Sequence, residues 1–298
     1  MPISMDKIVF NPAVSKFAGT VFSLSGLEDA VSQLDVEDAA ANAASPIGGI
    51  MGRTFAVPDA EFGGNGDDIA EFAGRQCYNS FEKGRDSTAY HLNIKEQRHG
   101  SIYEHVSLCF LISGVSRSLT HELLRHRVGV AYSQESQRYV DAKNIRFVLP
   151  PLLAYHLEGM TPEELEADPE LTIFRRSCNN SLREYVALQE QFVARLRAMQ
   201  AAGAKENAIV SLKKRANEAA RSLLPNAAET RLIFTANLRS LRHILSIRGA
   251  EPADLEIRRL APVILESARS HAPQFFSDFV AMVGEDGISS IMAEKGNF

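Results

Sequence analysis

From residue 68 onward the chain is a train of helix-spaced apolar segments, and the few β-rich runs between them do not alternate with the helices. Asp68–Tyr78 carries Ile69, Phe72, Ala73 and Cys77 at helical spacing. Further helices are predicted over Ser87–Arg98, Ser116–Arg127 (Leu119, Leu123 and Leu124 on one side), 162–200, Lys205–Leu224, Asn237–Arg248 and Asp254–Ser270, the last with Leu255, Leu260, Val263 and Ile264 inward. Thr161-Pro162 followed by Glu163 and Glu164 is a helix start, while Pro225 and Gly249 mark helix stops. β-Branched and aromatic runs at Val106–Ile112, Ile145–Leu149 and Thr230–Thr235 read as strands. Helices that dominate over non-alternating strands predict an α+β fold, not a doubly wound one.

The length, 298 residues, suffices for one large domain or two modest ones. No run of 18 apolar residues predicts a membrane span, and the N-terminus lacks the charged-then-apolar order of a signal peptide, so the expected compartment is the cytoplasm. Cys77, Cys109 and Cys178 have no CxxC spacing and predict neither disulfides nor a metal site; Cys109 reads as a small core residue. Net charge is −5, but residues 1–72 hold three basic and eleven acidic residues, leaving +3 for the remainder. Residues 1–70, with an Ala/Gly-rich stretch at 37–52 and a turn cluster at 61–68, are expected to form an acidic extension. A mildly basic body with clustered arginines suits phosphate-bearing ligands, and is too weakly basic for a general nucleic-acid binder.

The densest polar constellation is Arg125-His126-Arg127, followed by eight residues with only Val128 and Val130 as large aliphatics, then Ser136, Arg138 and Tyr139. At a predicted helix C-terminus, Arg-His-Arg can simply complement the dipole. A run so rich in hydrogen-bonding groups is nevertheless costly to bury unless a ligand or partner satisfies it. Arginine forks grip phosphates and flat carbonyl edges with two bonds at once. Polarising a uracil carbonyl stabilises negative charge on the ring as C5 becomes nucleophilic. Other constellations are His99–His105, Arg221, and Asn237–Arg248, where Arg239, Arg242 and His243 are expected on one face with Leu238, Leu241 and Leu245 opposite. His91 and His271 receive no function. Neither GxGxxG nor GxxxxGK[ST] nor HExxH occurs.

The ordered segments 72–81 (FAGRQCYNSF), 99–110 (HGSIYEHVSLCF), 116–127 (SRSLTHELLRHR), 132–140 (YSQESQRYV), 220–231 (ARSLLPNAAETR), 237–243 (NLRSLRH) and 253–261 (ADLEIRRLA) together resemble the flavin-dependent thymidylate synthases, the ThyX family. The likeness covers roughly 70–285 and implies a catalytic domain over 71–285, a tail at 286–298, and a central mixed or antiparallel sheet flanked by long helices. It further implies a homotetramer whose sites are shared between subunits. FAD would be the cofactor, with NADPH and 5,10-methylenetetrahydrofolate as co-substrates in converting dUMP to dTMP. Carried over by position, His99, Ser101, Glu104, Arg125, His126, Arg127, Asn237, Arg239 and His243 fall at the flavin site. Glu122, Arg125, Ser136, Arg138, Arg221 and Arg248 fall at the dUMP site, with Arg125 and Arg248 closest to the chemistry.

Three departures stand out. The family motif has seven residues between RHR and Ser and this chain has eight, an excess most simply absorbed near Gly129. Pro252 stands where many members have His, and the acidic N-terminal residues exceed the family core. Two alternatives remain open at this point: a C5 methylase or hydroxymethylase of the same fold acting on UMP, and a non-catalytic nucleotide- or RNA-binding homologue.

Overall fold

Alternation in the two longest strands sets the frame. In β5 (Ser107–Ser116), Leu108, Phe110 and Ile112 are buried, and in β8 (Glu229–Asn237) so are Leu232, Phe234 and Ala236. Phe110 and Phe234 lie ring against ring, 6.0 Å between centroids. Such period-two burial is what a sheet with one face on a core requires. The computed structural model describes residues 4–33, 48–51, 62–81, 85–203, 205–284 and 286–296.

In chain order the described elements are β1 (Ile8–Val9), β2 (Ala13–Gly19), β3 (Phe22–Ser23), α1 (Leu24–Gln33), β4 (Phe62–Gly63), α2 (Gly66–Cys77) and α3 (Ser87–Glu96). A 3-10 turn (Gly100–His105) leads into β5, α4 (Arg117–Leu123), β6 (Val130–Gln134) and β7 (Phe147–Val148). Then come α5 (Pro151–His156), α6 (Pro162–Ala167), α7 (Pro169–Ala201), α8 (Glu206–Ala220), a 3-10 turn (Arg221–Leu223) and β8. The chain ends with α9 (Leu238–Arg248), α10 (Leu255–Arg269) and the hairpin β9 (Phe279–Val283) and β10 (Ser289–Ala293). The four-stranded sheet has the order β2-β5-β8-β6, and β1 pairs in parallel with β7. Helix and sheet are thus mixed. No helix among the described residues is long and apolar enough to cross a membrane.

The chain divides into two compact regions. The first comprises Met1–Ala13, Ile112–Arg125 and Ser133–Leu232. Its core gathers Ile8, Phe147, Leu149, Leu171, Tyr185 and Ala220. The expected helical stretch over 162–200 is two helices. Pro169 has no N–H to donate and fits only a first turn, and the Asp168 carboxylate caps the new start by accepting from Leu171 N–H at 2.7 Å. Thr161 and Glu164 form a reciprocal capping box at the start of α6. Burial pushes the Cys178 thiol up to about 12, which suits a core residue.

The second region comprises Val14–Leu111, His126–Tyr132 and Ile233–Phe298. Here α9 departs from expectation. Arg242 does not share the outer face with Arg239 and His243: it is buried, its guanidinium bonded twice to Asp278 (2.9 and 2.6 Å) and to the carbonyls of Phe275 and Gly296. Lys95 adds a second cation 3.3 Å from Asp278. Burial alone would raise the Asp278 pKa, but the Arg242 bonds and the charges of Arg242 and Lys95 overcome it and bring it down to about 2. Gly249 ends α9 as expected, yet with φ −91 rather than a left-handed angle. A Cβ there would overlap the Ile291 side chain, so close approach of β10 explains the glycine. Val263, expected inward on α10, is 39% exposed.

Asp278→Asn should therefore lower stability by about 3–5 kcal/mol near neutral pH, because two buried cations lose their counter-charge. The Asp278 contribution is present above the unfolded carboxylate range, near pH 4, and is lost as pH falls through about 2. A urea midpoint equal to wild type at pH 7 would contradict this.

Candidate functional site

The Arg-His-Arg segment is not helical. Helix α4 ends at Leu123, Leu124 caps it, and Arg125 follows in a turn with its N–H on the Glu122 carbonyl. The three side chains are thereby presented from a loop, so the helix-dipole explanation weakens. The division between the two regions falls between Arg125 and His126, and the predicted residues sort accordingly.

In the first region, Ser136 caps its own turn, its carbonyl accepting from Tyr139 and Val140 N–H at 3.0 and 2.9 Å. Arg138 pairs through Nε with Glu218 at 3.2 Å, and its carbonyl accepts from the Asn217 side chain. Tyr139 is exposed, with Lys214 Nζ 4.6 Å from its ring centroid, and the Lys214 contact lowers its pKa. Arg221 begins the 3-10 turn that follows α8.

Sequence reasoning assigned no role to Arg117, the first residue of α4. Burial lowers its pKa, the Arg221 charge lowers it further, and Glu135 opposes both. Its Nη1 is buried without a hydrogen-bond partner among the described residues. An arginine that feels a second like charge and has an orphaned donor is stabilised by an anion. One signal was legible: an arginine at a helix N-terminus sits at the unfavourable end of the dipole.

In the second region, α9 organises the site. Arg248 Nε donates to His126 Nε2 at 2.9 Å. His126 must therefore carry its proton on Nδ1 and be neutral in this arrangement. The His126 and His243 rings meet edge to face at 5.9 Å. Arg239 pairs with Glu104 from the 3-10 turn that also carries Ser101. His99 stacks on exposed Tyr78, 6.3 Å between centroids and 17° between planes. Arg127 and Ser101 are exposed.

The loop bearing His126 is tied to the start of α9. Asn237 is the N-cap, accepting from Ser240 N–H at 2.8 Å, and its own N–H donates to the Gly129 carbonyl. Ser240 Oγ donates to the Val128 carbonyl at 2.8 Å. Gly129 has φ +66, and a Cβ there would collide with the Asn237 and Ser240 side chains, so only glycine fits. The Tyr132 hydroxyl donates to the His126 carbonyl at 3.1 Å; burial pushes its pKa up to about 12, so it stays a donor.

Comparison with known proteins identifies the family of the chain. The family described as thymidylate synthase complementing protein matches residues 61–274. A flavin-dependent thymidylate synthase of Mycolicibacterium vanbaalenii is 42% identical over 78% of this chain and 86% of its own length. That of Mycobacterium sp. (strain JLS) is 41% identical over 80% of this chain and 91% of its own. Among solved structures, thymidylate synthase X of Helicobacter pylori with FAD and dUMP is 23% identical, covers 71% of this chain and 93% of its own, and gives a TM-score of 0.46. The chain belongs to the flavin-dependent thymidylate synthase family.

Proposed function

We propose that this protein converts dUMP to dTMP, with 5,10-methylenetetrahydrofolate as carbon donor and FAD and NADPH as the source of hydride. The observation that carries the reading is Arg117, a half-buried arginine whose Nη1 has no hydrogen-bond partner among the described residues and which feels the like charge of Arg221. A nucleotide phosphate is an anion that such a guanidinium accepts. Arg138 and Ser136 add donors to the nucleotide, Glu122 serves as a further contact, and Arg125 and Arg248 polarise the pyrimidine carbonyls as negative charge builds on the ring. The protonation of His126 set by Arg248 keeps that guanidinium oriented.

The second region fits FAD by the chemistry of its donor set. The exposed His99–Tyr78 stack, the His126–His243 pair and the Arg239–Glu104 pair offer flat surfaces and charged hydrogen-bonding groups suited to a ring system bearing phosphates. Ser101, Arg127 and the Asn237 side chain complete the proposed set. When bound, the flavin supplies hydride transfer, and the protein supplies position and polarity. None of the three cysteines enters the mechanism.

A homotetramer with shared sites is part of the proposal. Leu111 and Ile233 are 45% and 40% exposed. They lie on the face of β5 and β8 opposite Phe110 and Phe234, next to the Cys109–Thr235 contact at 3.0 Å. These are the two inner strands of the sheet, and an uncovered apolar face at that position favours a second copy of the chain. Residues 1–70, expected as a separate acidic extension, are partly built into the fold: β1 pairs with β7, Ile8 lies in the first region's core, and β2 is a strand of the four-stranded sheet. Residues 1–3, 34–47 and 52–61 of that segment lie outside the described residues.

Absorbance spectra of the purified protein with added FAD should show bound flavin perturbed by dUMP; no flavin uptake under any condition would refute the reading. Arg117→Ala should raise the KM for dUMP by about 10- to 100-fold, as loss of a charge-assisted contact does, and leave the flavin spectrum intact. An unchanged KM would remove Arg117 from the phosphate site. Ile233→Lys should shift the mass in solution below that of a tetramer, and a tetramer that persists would place the interface elsewhere.

A further inference from the structure

A buried line of polar side chains runs through the first region from helix α7 to the loop 136–142. Asn217 Nδ2 donates to the Arg138 carbonyl at 3.3 Å. A carbonyl only accepts, so this bond fixes the amide and turns Asn217 Oδ1 toward Gln189, whose Nε2 donates to it at 2.9 Å. The same Gln189 nitrogen reaches the Tyr185 hydroxyl at 3.4 Å, and that hydroxyl accepts from Ala142 N–H at 3.1 Å. The loop is thus held at both ends, Arg138 and Ala142, by one relay. Tyr185 is fully buried, and Gln189 and Asn217 are 4% and 3% exposed.

Gln189 Oε1 is buried with no hydrogen-bond partner among the described residues. An apolar seam between α7 and α8 would avoid that unsatisfied acceptor, so packing alone does not explain the amides. What the relay does achieve is register. Glu218, the next residue on α8, takes the Arg138 guanidinium at 3.2 Å, so one turn of helix holds both the carbonyl and the side chain of the same arginine. Ser136 Oγ accepts from Arg138 N–H at 3.4 Å, which extends the same constraint to the serine.

We propose that Asn217, supported by Gln189 and Tyr185, is a positioning residue that sets Arg138 and Ser136 for the nucleotide. This rests on the reading of Arg138 as a dUMP contact. Asn217 touches no substrate; it acts through the Arg138 carbonyl.

Asn217→Asp supplies a test that a purely structural role would not satisfy. The carboxyl still accepts from Gln189, but it donates to the Arg138 carbonyl only when protonated. Burial beside a carbonyl oxygen raises its pKa, so the relay should be intact at low pH and broken at high pH. Relative to wild type at the same pH, the KM for dUMP should rise about 10-fold at pH 8 and return to within about 3-fold at pH 6. The turnover number at saturating dUMP and the flavin spectrum should be unchanged. Gln189→Met, which keeps volume and removes the donor, should raise KM by a smaller factor with no such pH dependence, and it decides the matter if the aspartate variant does not fold. A KM for dUMP equal to wild type in both folded variants overturns the proposal. So does a parallel loss of dUMP and FAD affinity at every pH, which marks general loosening. Arg138→Ala, measured alongside, separates the two levels: if it raises KM while the relay variants do not, the relay fails and the dUMP reading of Arg138 stands. If Arg138→Ala has no effect either, the assignment of Arg138 falls with it.

Discussion

The bond from Arg248 Nε to His126 Nε2 is the interaction around which the polar groups of the second region are arranged. It joins the last turn of α9 to the loop after α4, and it fixes one tautomer of the histidine. Around it the loop has little freedom. Gly129 holds a left-handed angle against Asn237 and Ser240, and the Val128 and Gly129 carbonyls are both bonded to the start of α9. Arg239, His243 and Arg248 therefore stand on one helix while His126 is brought to them. Preorganised polar groups of this kind stabilise developing charge without having to rearrange.

That helix is held from behind by charge rather than by oil alone. Arg242, buried among Phe275, Phe279 and the Asp278 carboxylate, locks α9 to the segment 275–279 and to the chain near Gly296. A buried arginine paired with two-bond geometry is poor evidence of net stability, but it is strongly directional. The first region uses a neutral counterpart, the amide relay behind Arg138. In both regions the side chains proposed to meet ligand are backed by residues whose hydrogen bonds leave little choice of position.

The periodic elements were legible in the sequence because burial follows period. The helices 66–77, 87–96 and 255–269 and the strands 107–116 and 229–237 lie where the apolar spacing put them, within a few residues. What was hidden had local causes with weak period. β2 has no fully buried residue to mark a core-facing period, and the break at Asp168-Pro169 lay inside an otherwise helical pattern. Arg242 was placed with Arg239 and His243 by spacing alone, whereas its burial depends on Asp278, thirty-six residues away. The Arg-His-Arg cluster, Arg239 and Arg248 are proposed site residues that residue type and order single out. Arg117, Glu218 and Asn217 were not singled out: apart from the helix-start position of Arg117, an orphaned nitrogen, a long-range ion pair and a side chain bonded to a distant carbonyl leave no trace in sequence spacing.

The most direct test of the account is product formation by the purified protein given dUMP, 5,10-methylenetetrahydrofolate and NADPH, with and without FAD, and with UMP in a parallel reaction. The account predicts dTMP from dUMP that depends on FAD, and little product from UMP. Absence of dTMP from a flavin-loaded protein, or equal turnover of UMP, would contradict it.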